Sequence, residues 1–168
     1  RFVRQRQPCE ASKIKNRKEA IFQLGLKAGF GDGAFRETGG FLLGVRRGPH
    51  LEITHHTAQG WSDIATRSSF ERRGAHHQRD AEAIWRRTVG EVGLIGDWHT
   101  HPVGSAEPSE TDRRAWRQLL ARQQLTGVGM ILSPAEVRMF WLRRGLASVQ
   151  VTEAPLQFDE DDDLVFTC

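Results

Sequence analysis

The chain has 168 residues, of which 38% are hydrophobic and 27% are charged, a composition typical of one ordinary globular domain. It contains no uninterrupted apolar run of about 18 residues, which excludes a membrane-spanning helix from this sequence. The formal net charge is +3 at pH 7, and the sequence pI is about 9.3.

The charge is concentrated at the two ends. Residues 1–18 hold seven Lys and Arg against one Glu, whereas residues 159–163 are all acidic. We interpret residues 1–16 as a basic arm and residues 153–168 as an acidic tail, both solvated and poorly ordered. A basic arm could instead contact nucleic acid or an acidic partner. Cys9 and Cys168 match no metal-ligand spacing, which favours free thiols in a cytoplasmic protein.

Helices and strands are predicted to alternate between these ends. In chain order we predict a helix over 18–28, strands over 37–45 and 50–56, a helix over 76–88, a strand entered at 92–96, a helix over 109–123, and strands over 127–132, 137–142 and 147–151. Residues 60–69 are predicted to be a polar loop, and residues from 157 onward a tail. This order predicts an α/β domain over residues 17–152, with a mixed sheet between helices.

Two histidines mark the most informative strand. His99 and His101 are two residues apart, and alternate strand residues share a face, so both imidazoles point the same way. Asp97 lies on that face too, but about 6.6 Å further back along the strand. We therefore expect Asp97 to support the histidines and not to share a ligand position with them. Pro102 has no N–H to donate and ends the strand.

A helix follows this strand after a short polar loop. Ser109 is predicted to be its N-cap, and Asp112 lies in the first turn, on the stripe continued by Trp116 and Leu120. Strand and helix can thus bring two imidazoles and one carboxylate together, a ligand set for a divalent ion such as zinc. A histidine pair alone is weak evidence for a metal, and Ser109 with Asp112 could also be only a capping box.

Other histidines are interpreted as structural. His55 and His56 point to opposite faces of their strand, so they cannot both be ligands, and we interpret them as surface or partly satisfied side chains. His77 begins the apolar stripe of the helix over 76–88, which continues through Ala81, Ile84, Trp85 and Thr88. It could face a cleft, but a packed structural histidine is the favoured interpretation.

The combined pattern resembles a known family. His-x-His-Pro, six further residues and Ser-x-x-Asp are similar to the signature of the JAMM (MPN-plus) zinc metalloproteases. Glu37, followed by Gly40, Leu42 and Gly44, resembles the Glu-x-x-Gly-x-Leu-x-Gly segment that carries the family's catalytic glutamate. The resemblance covers roughly residues 17–145 and looks most like the prokaryotic JAB branch. It implies a single JAMM/MPN-like domain with a mixed, curved sheet flanked by helices.

The resemblance also implies a mechanism. His99, His101 and Asp112 would hold Zn²⁺, which lowers the pKa of a coordinated water toward about 7. Glu37 would take a proton from the water and pass it to the leaving amine. Ser109 would donate its hydroxyl toward the oxyanion.

The implied substrate is a peptide or isopeptide bond at the C-terminus of a conjugated protein. The chain resembles the deconjugating peptidases of bacterial CBASS anti-phage operons, which work beside E1- and E2-like conjugation proteins. The partner would be a ubiquitin-like protein or another target joined through its C-terminus. We expect its tail to lie extended in the cleft, adding as a strand to residues 40–45 or to the 102–108 loop.

Two other classes of function remain open on the sequence. A catalytically silent MPN scaffold is disfavoured because all five motif residues are intact: Glu37, His99, His101, Ser109 and Asp112. A DNA-associated protein of the same fold is compatible with the sequence pI of about 9.3. The cysteine-based zinc deaminase signature is absent, however, and we expect no nucleic-acid substrate.

Overall fold

The computed structural model describes residues 12–14, 36–48, 50–123, 126–144, 149–158 and 164–166. The predicted helix over 18–28 lies outside the described residues, as does Pro49 of the predicted turn at 48–49. The elements are β1 (Ser12–Ile14), β2 (Gly39–Arg47), β3 (His50–His56), β4 (Ile64–Ala65), β5 (Phe70–Glu71), α1 (Ala75–Arg87), β6 (Gly93–Thr100), α2 (Glu110–Gln123), β7 (Gly127–Leu132), β8 (Val137–Arg144), β9 (Val149–Ala154), β10 (Leu156–Phe158) and β11 (Leu164–Phe166).

Nine of these strands form one mixed sheet in the order β10-β11-β1-β3-β2-β6-β7-β8-β9. The predicted hairpins β2–β3 and β7–β8 are both antiparallel. β6 and β7 run parallel, because α2 connects them, and a parallel pair needs a long crossover of this kind. Helix α1 packs against β2 and β6, and α2 against β8 and β9. This arrangement confirms the predicted mixed α/β fold.

The central strands are buried because their apolar residues cover both faces. β2 is buried along most of its length, as its continuous apolar run predicted. Trp98 on β6 is 1% exposed and points away from the histidine face, where its indole N–H donates to the Thr57 carbonyl at 2.9 Å. This hydrogen bond on the opposite face of β6 therefore helps to hold the strand that carries His99 in place.

One expectation about substrate binding is wrong. β2 lies inside the sheet, paired with β3 on one side and β6 on the other, so its backbone groups are already used. A substrate tail cannot add to residues 40–45 as an extra strand. The 102–108 loop lies at the end of β6, where Gly104 adopts a positive φ of 94° that a residue without a Cβ accepts easily.

Three further predictions need correction. The predicted polar loop over 60–69 contains β4 and leads into β5, which form a small antiparallel hairpin. The sequence favours a solvated, poorly ordered arm over residues 1–16 and a tail over residues 153–168, but β1, β10 and β11 of these stretches belong to the main sheet, where β11 pairs with both β1 and β10. Trp85 does not belong to the buried stripe of α1, because it is 53% exposed. None of the described helices is both long and apolar enough to cross a membrane.

Candidate metal centre

The end of β6 and the first turn of α2 bring three predicted ligands together. His99 Nε2 lies 3.2 Å from His101 Nε2 and 3.1 Å from an oxygen of Asp112. The second oxygen of Asp112 lies 3.5 Å from His101 Nε2. All three donor atoms fall within 4.8 Å of one another. The helical first turn predicted for Asp112 is confirmed. The histidines face each other as strand alternation predicted, although β6 ends at Thr100 and His101 directly follows the strand.

The hydrogen bonds of His101 show that this donor set suits a cation. Its Nδ1 lies 2.9 Å from the Ser105 carbonyl, and a carbonyl only accepts, so Nδ1 carries the proton. In the neutral ring the Nε2 lone pair then faces the Asp112 carboxylate, which is repulsive unless a positive charge lies between them. The hydrogen bond to Asp112 raises the pKa of His101, which favours a proton at this position in the metal-free protein. A divalent ion held by the same three groups would supply that positive charge.

Asp112 is anionic in this cluster. Burial works against its charge, but hydrogen bonds from His101 and His99 hold the pKa of this carboxyl well below its usual range. Ser109 contributes too: its backbone N–H and its hydroxyl both donate to one Asp112 oxygen, at 2.7 and 2.6 Å. The Asp112 N–H returns a hydrogen bond to Ser109 Oγ at 3.2 Å. The capping-box interpretation is therefore confirmed, and the same bonds aim Asp112 at the histidines.

Glu37 lies beside the cluster and lines the same cleft. It is 8% exposed, and its N–H donates to the Thr66 carbonyl in the β4–β5 hairpin at 2.7 Å. Burial raises the pKa of the Glu37 carboxyl, although His99 and His101 oppose the shift. Among the described residues, Glu37 is not part of the group of donor atoms that lie within 4.8 Å of one another. A buried carboxyl next to a cation site, but outside the ligand set, is suited to exchange protons.

The raised pKa of Glu37 predicts a stability effect in the metal-free protein. The folded state retains a proton that the unfolded chain releases near pH 4.5, so the contribution of Glu37 to stability falls as the pH rises through its folded pKa. We expect metal-free Glu37→Gln to be more stable than wild type at pH 7.5, with the difference shrinking below about pH 4. Urea unfolding at both pH values checks this. Glu91→Gln, at an exposed acid, should show no such gain, and an equal gain in both variants would contradict the assignment.

Asp97 does not join the ligand group, as its distance along the strand predicted. It is 2% exposed, and each of its oxygens accepts a hydrogen bond. Trp116 Nε1 donates to one at 2.6 Å, and Arg72 donates to the other at 3.0 Å. Arg72 and Trp116 are functional candidates that the sequence did not indicate, because the partner residues come from distant segments.

A second histidine–carboxylate group has a structural role. Asp63, His76 and His77 also place donor atoms within 4.8 Å of one another. The Asp63 oxygens accept from the backbone N–H groups of residues 60, 73 and 74, and one oxygen lies 2.9 Å from His77 Nε2. His77 Nδ1 lies 2.6 Å from the Thr57 hydroxyl. The favoured interpretation of His77 as a packed structural histidine is confirmed, because this chain of bonds ties the loop before β4 to α1.

Comparison with known proteins places this geometry in a family. A family model described as prokaryotic homologs of the JAB domain matches residues 32–144, which include all five motif residues. The solution structure of a protein from Desulfitobacterium hafniense has a TM-score of 0.56, with 19% identity, 83% of this chain covered and 88% of that one. At this identity the likeness shows the fold alone.

Curated relatives are more similar in sequence. The CD-NTase/cGAS isopeptidase of Escherichia coli is 41% identical over 80 residues, 48% of this chain and 51% of the relative. That of Vibrio cholerae is 37% identical over 106 residues, 63% of this chain and 65% of the relative. A probable metalloprotease of Sinorhizobium fredii is 36% identical over 86 residues, 50% of this chain and 52% of the relative. The chain thus spans between half and two thirds of the lengths of these relatives. Since the family model covers most of the chain and both motifs, this protein belongs to the prokaryotic homologs of the JAB domain.

Proposed function

We propose that this protein is a zinc-dependent deconjugating peptidase that acts in the cytoplasm. It hydrolyses the amide bond after the C-terminal residue of a folded protein joined to a lysine or to another chain. The observation that carries the proposal is the meeting of His99, His101 and Asp112 beside the buried carboxyl of Glu37. A scaffold protein has no need for a buried acid next to a cation site, so the geometry favours an enzyme.

The side chains divide the work of hydrolysis. When bound at the three ligands, zinc supplies Lewis acidity and lowers the pKa of a coordinated water toward about 7. Glu37 accepts a proton from the attacking water and returns it to the leaving amine, and its burial next to the cluster suits both steps. Ser109 has its hydroxyl engaged with Asp112, so it must turn from that bond to donate to the oxyanion.

The substrate is inferred from the cleft and from the relatives. The cleft between the β4–β5 hairpin and α2 is lined mainly by polar and small side chains, including Ser68, Ser69, Thr111 and Ala115. Among the described residues, Phe70 and Trp116 are the large apolar side chains that line it, and we infer that it accepts an extended tail of small residues. Because two relatives are named CD-NTase/cGAS isopeptidases, we propose a CD-NTase/cGAS-type protein as the conjugated target. E1- and E2-like proteins would form the conjugate, and a ubiquitin-like modifier is the alternative target.

A comparison of two substrates tests this specificity. The first is a folded CD-NTase-type protein with a reporter fused to its flexible C-terminus, and the second is casein, which is unstructured. We expect the zinc-loaded protein to release the reporter while leaving casein largely intact over the same period. Comparable cleavage rates on the fusion and on casein would show that the protein is a general metalloprotease and not a deconjugating peptidase. A ubiquitin-like protein carrying the same reporter would distinguish the two classes of target.

Ser109 is predicted to contribute mainly to turnover. Ser109→Ala removes the hydroxyl proposed to reach the oxyanion, a loss that typically costs about 10²–10³ in kcat. It also removes two of the three hydrogen bonds between Ser109 and Asp112, but the Ser109 backbone N–H still donates to the Asp112 carboxylate. We therefore expect zinc to be retained. Steady-state kinetics with elemental analysis checks both points, and wild-type kcat in Ser109→Ala would exclude the oxyanion role.

A further inference from the structure

The buried carboxylate of Asp97 lies on the floor of the cleft, between two walls that come from distant parts of the chain. One wall is α2 and the other is the segment of the β4–β5 hairpin and Arg72. Each Asp97 oxygen accepts from one wall, Trp116 on α2 and Arg72 after β5. Asp97 is 2% exposed, and each of its oxygens accepts a hydrogen bond. Because an unpaired buried carboxylate costs much free energy, we expect this side chain to keep one position.

The bond to Trp116 fixes the wall that carries a metal ligand. Trp116 follows Asp112 by one helical turn and is 0% exposed. Its ring fills the space that a side chain at Gly129 would need and lies 6.5 Å from the His99 ring, centroid to centroid. The indole N–H is thus a directional contact that, together with the packing of Trp116 and Leu120 in the core, restricts how far α2 can rotate about its axis. That rotation decides where Asp112 meets His99 and His101.

The bond to Arg72 fixes the wall that holds the proposed base. Arg72 follows β5 directly, and its guanidinium lies over the Phe41 ring at 5.0 Å. In the same hairpin, Thr66 accepts the N–H of Glu37, and Phe70 packs close to Gly39. Glu37 is therefore held from two sides, by the hairpin at its own N–H and by the hydrogen bonds between Thr38 and Thr100 next to it.

We propose that Asp97 is a positioning residue that fixes the position of one wall of the cleft relative to the other. Through Trp116 it places Asp112 for metal binding, and through Arg72 it places the hairpin that anchors Glu37. The two bonds serve different functions, so they are separable: the first controls zinc affinity and the second controls turnover. The inference rests on the proposed function for its kinetic part, whereas zinc affinity is measured without substrate.

Trp116→Phe tests the first bond, because it removes the indole N–H and keeps a smaller aromatic ring; the packing that the smaller ring loses is matched in the control below. We expect it to weaken zinc binding by about 10-fold or more, as the loss of a contact that orients metal ligands commonly does. Trp98→Phe is the matched control. It removes an equally buried indole N–H whose acceptor is the Thr57 carbonyl, so we expect lower stability but unchanged zinc affinity. Competition with a chromophoric chelator gives both dissociation constants, and circular dichroism checks the fold.

Arg72→Gln tests the second bond. We expect kcat to fall by about 10- to 100-fold, the scale on which small misplacements of a reacting group act, with KM and zinc affinity unchanged. Asp97→Asn alters both bonds and should show both defects. It also preserves the shape of the side chain, so it carries the zinc measurement if Trp116→Phe does not fold.

Two results would overturn this inference while the proposed function stands. One is equal zinc affinity in Trp116→Phe and Trp98→Phe. The other is an Arg72→Gln protein with wild-type kcat, or one that loses zinc as Trp116→Phe does. A wild-type chain that bound no zinc and cleaved no conjugate would instead overturn the proposed function, and this inference with it.

Discussion

Glu37→Gln is expected to lose about 10²–10⁴-fold in kcat, the usual contribution of a positioned general acid–base, while it retains a full complement of zinc. The amide has the size of the carboxylate but cannot accept the proton of the attacking water. Because Glu37 lies outside the group formed by His99, His101 and Asp112, its replacement should leave the ion in place. Kinetics on a conjugate and elemental analysis of the same preparation measure the two quantities together.

The controls for this variant separate a base from a ligand. Glu91→Gln replaces an exposed acid and should retain wild-type kcat. If Glu37→Gln lost its zinc, Glu37 would be a ligand and the proposed base would have to be sought elsewhere. Retained zinc together with wild-type kcat would exclude Glu37 from proton transfer.

His99→Ala and His101→Ala should each lose the metal and, with it, all measurable turnover. Each substitution leaves only two protein ligands, and structural or catalytic zinc sites need at least three. Wild-type protein purified without added metal should contain about one zinc per chain, removable by a chelator. Elemental analysis of the three proteins checks this.

His76→Ala is the matched control, because His76 belongs to the second histidine–carboxylate group. The hydrogen bonds of Asp63 and His77 show that this group ties a loop to α1. We therefore expect His76→Ala to keep its zinc. If it lost the ion while His99→Ala kept it, the metal site would have been assigned to the wrong cluster.

The metal cluster was predictable because its geometry is local. The two-residue alternation of an extended chain places His99 and His101 on the same face. The hydrogen bonds of a helix N-cap place Ser109 next to Asp112. Each rule acts over a few residues, and only the loop between strand and helix had to bring the pairs together. The order of strands and helices was predictable for the same reason, since hydrophobic periodicity is a property of short segments.

The surroundings of the cluster were not predictable, because they depend on contacts between distant segments. Nothing in the local sequence of Arg72 or Trp116 indicates that both donate to Asp97, which lies 25 and 19 residues away from them. The Ser105 carbonyl that orients His101 is a backbone group, and its sequence neighbourhood carries no signal. The β4–β5 hairpin was missed because each strand has two residues, too few for alternation to appear.

Burial was also misjudged where tertiary packing decides it. Trp85 has the helical spacing of a core residue, yet α1 presents it largely to solvent. The terminal strands β1 and β11 pair with each other, a long-range contact that charged flanking residues concealed. In both cases the local pattern does not indicate which other segments pack against the element.

Zinc-dependent deconjugation is best measured by the intact mass of the products from a lysine-linked conjugate. The conjugate of a folded CD-NTase-type protein is incubated with zinc-loaded protein, with chelated protein and with Glu37→Gln. Only the zinc-loaded wild type should release the target protein with the mass of its full chain and a free C-terminal carboxylate. Internal fragments, or release at an equal rate by chelated protein, would contradict zinc-dependent deconjugation.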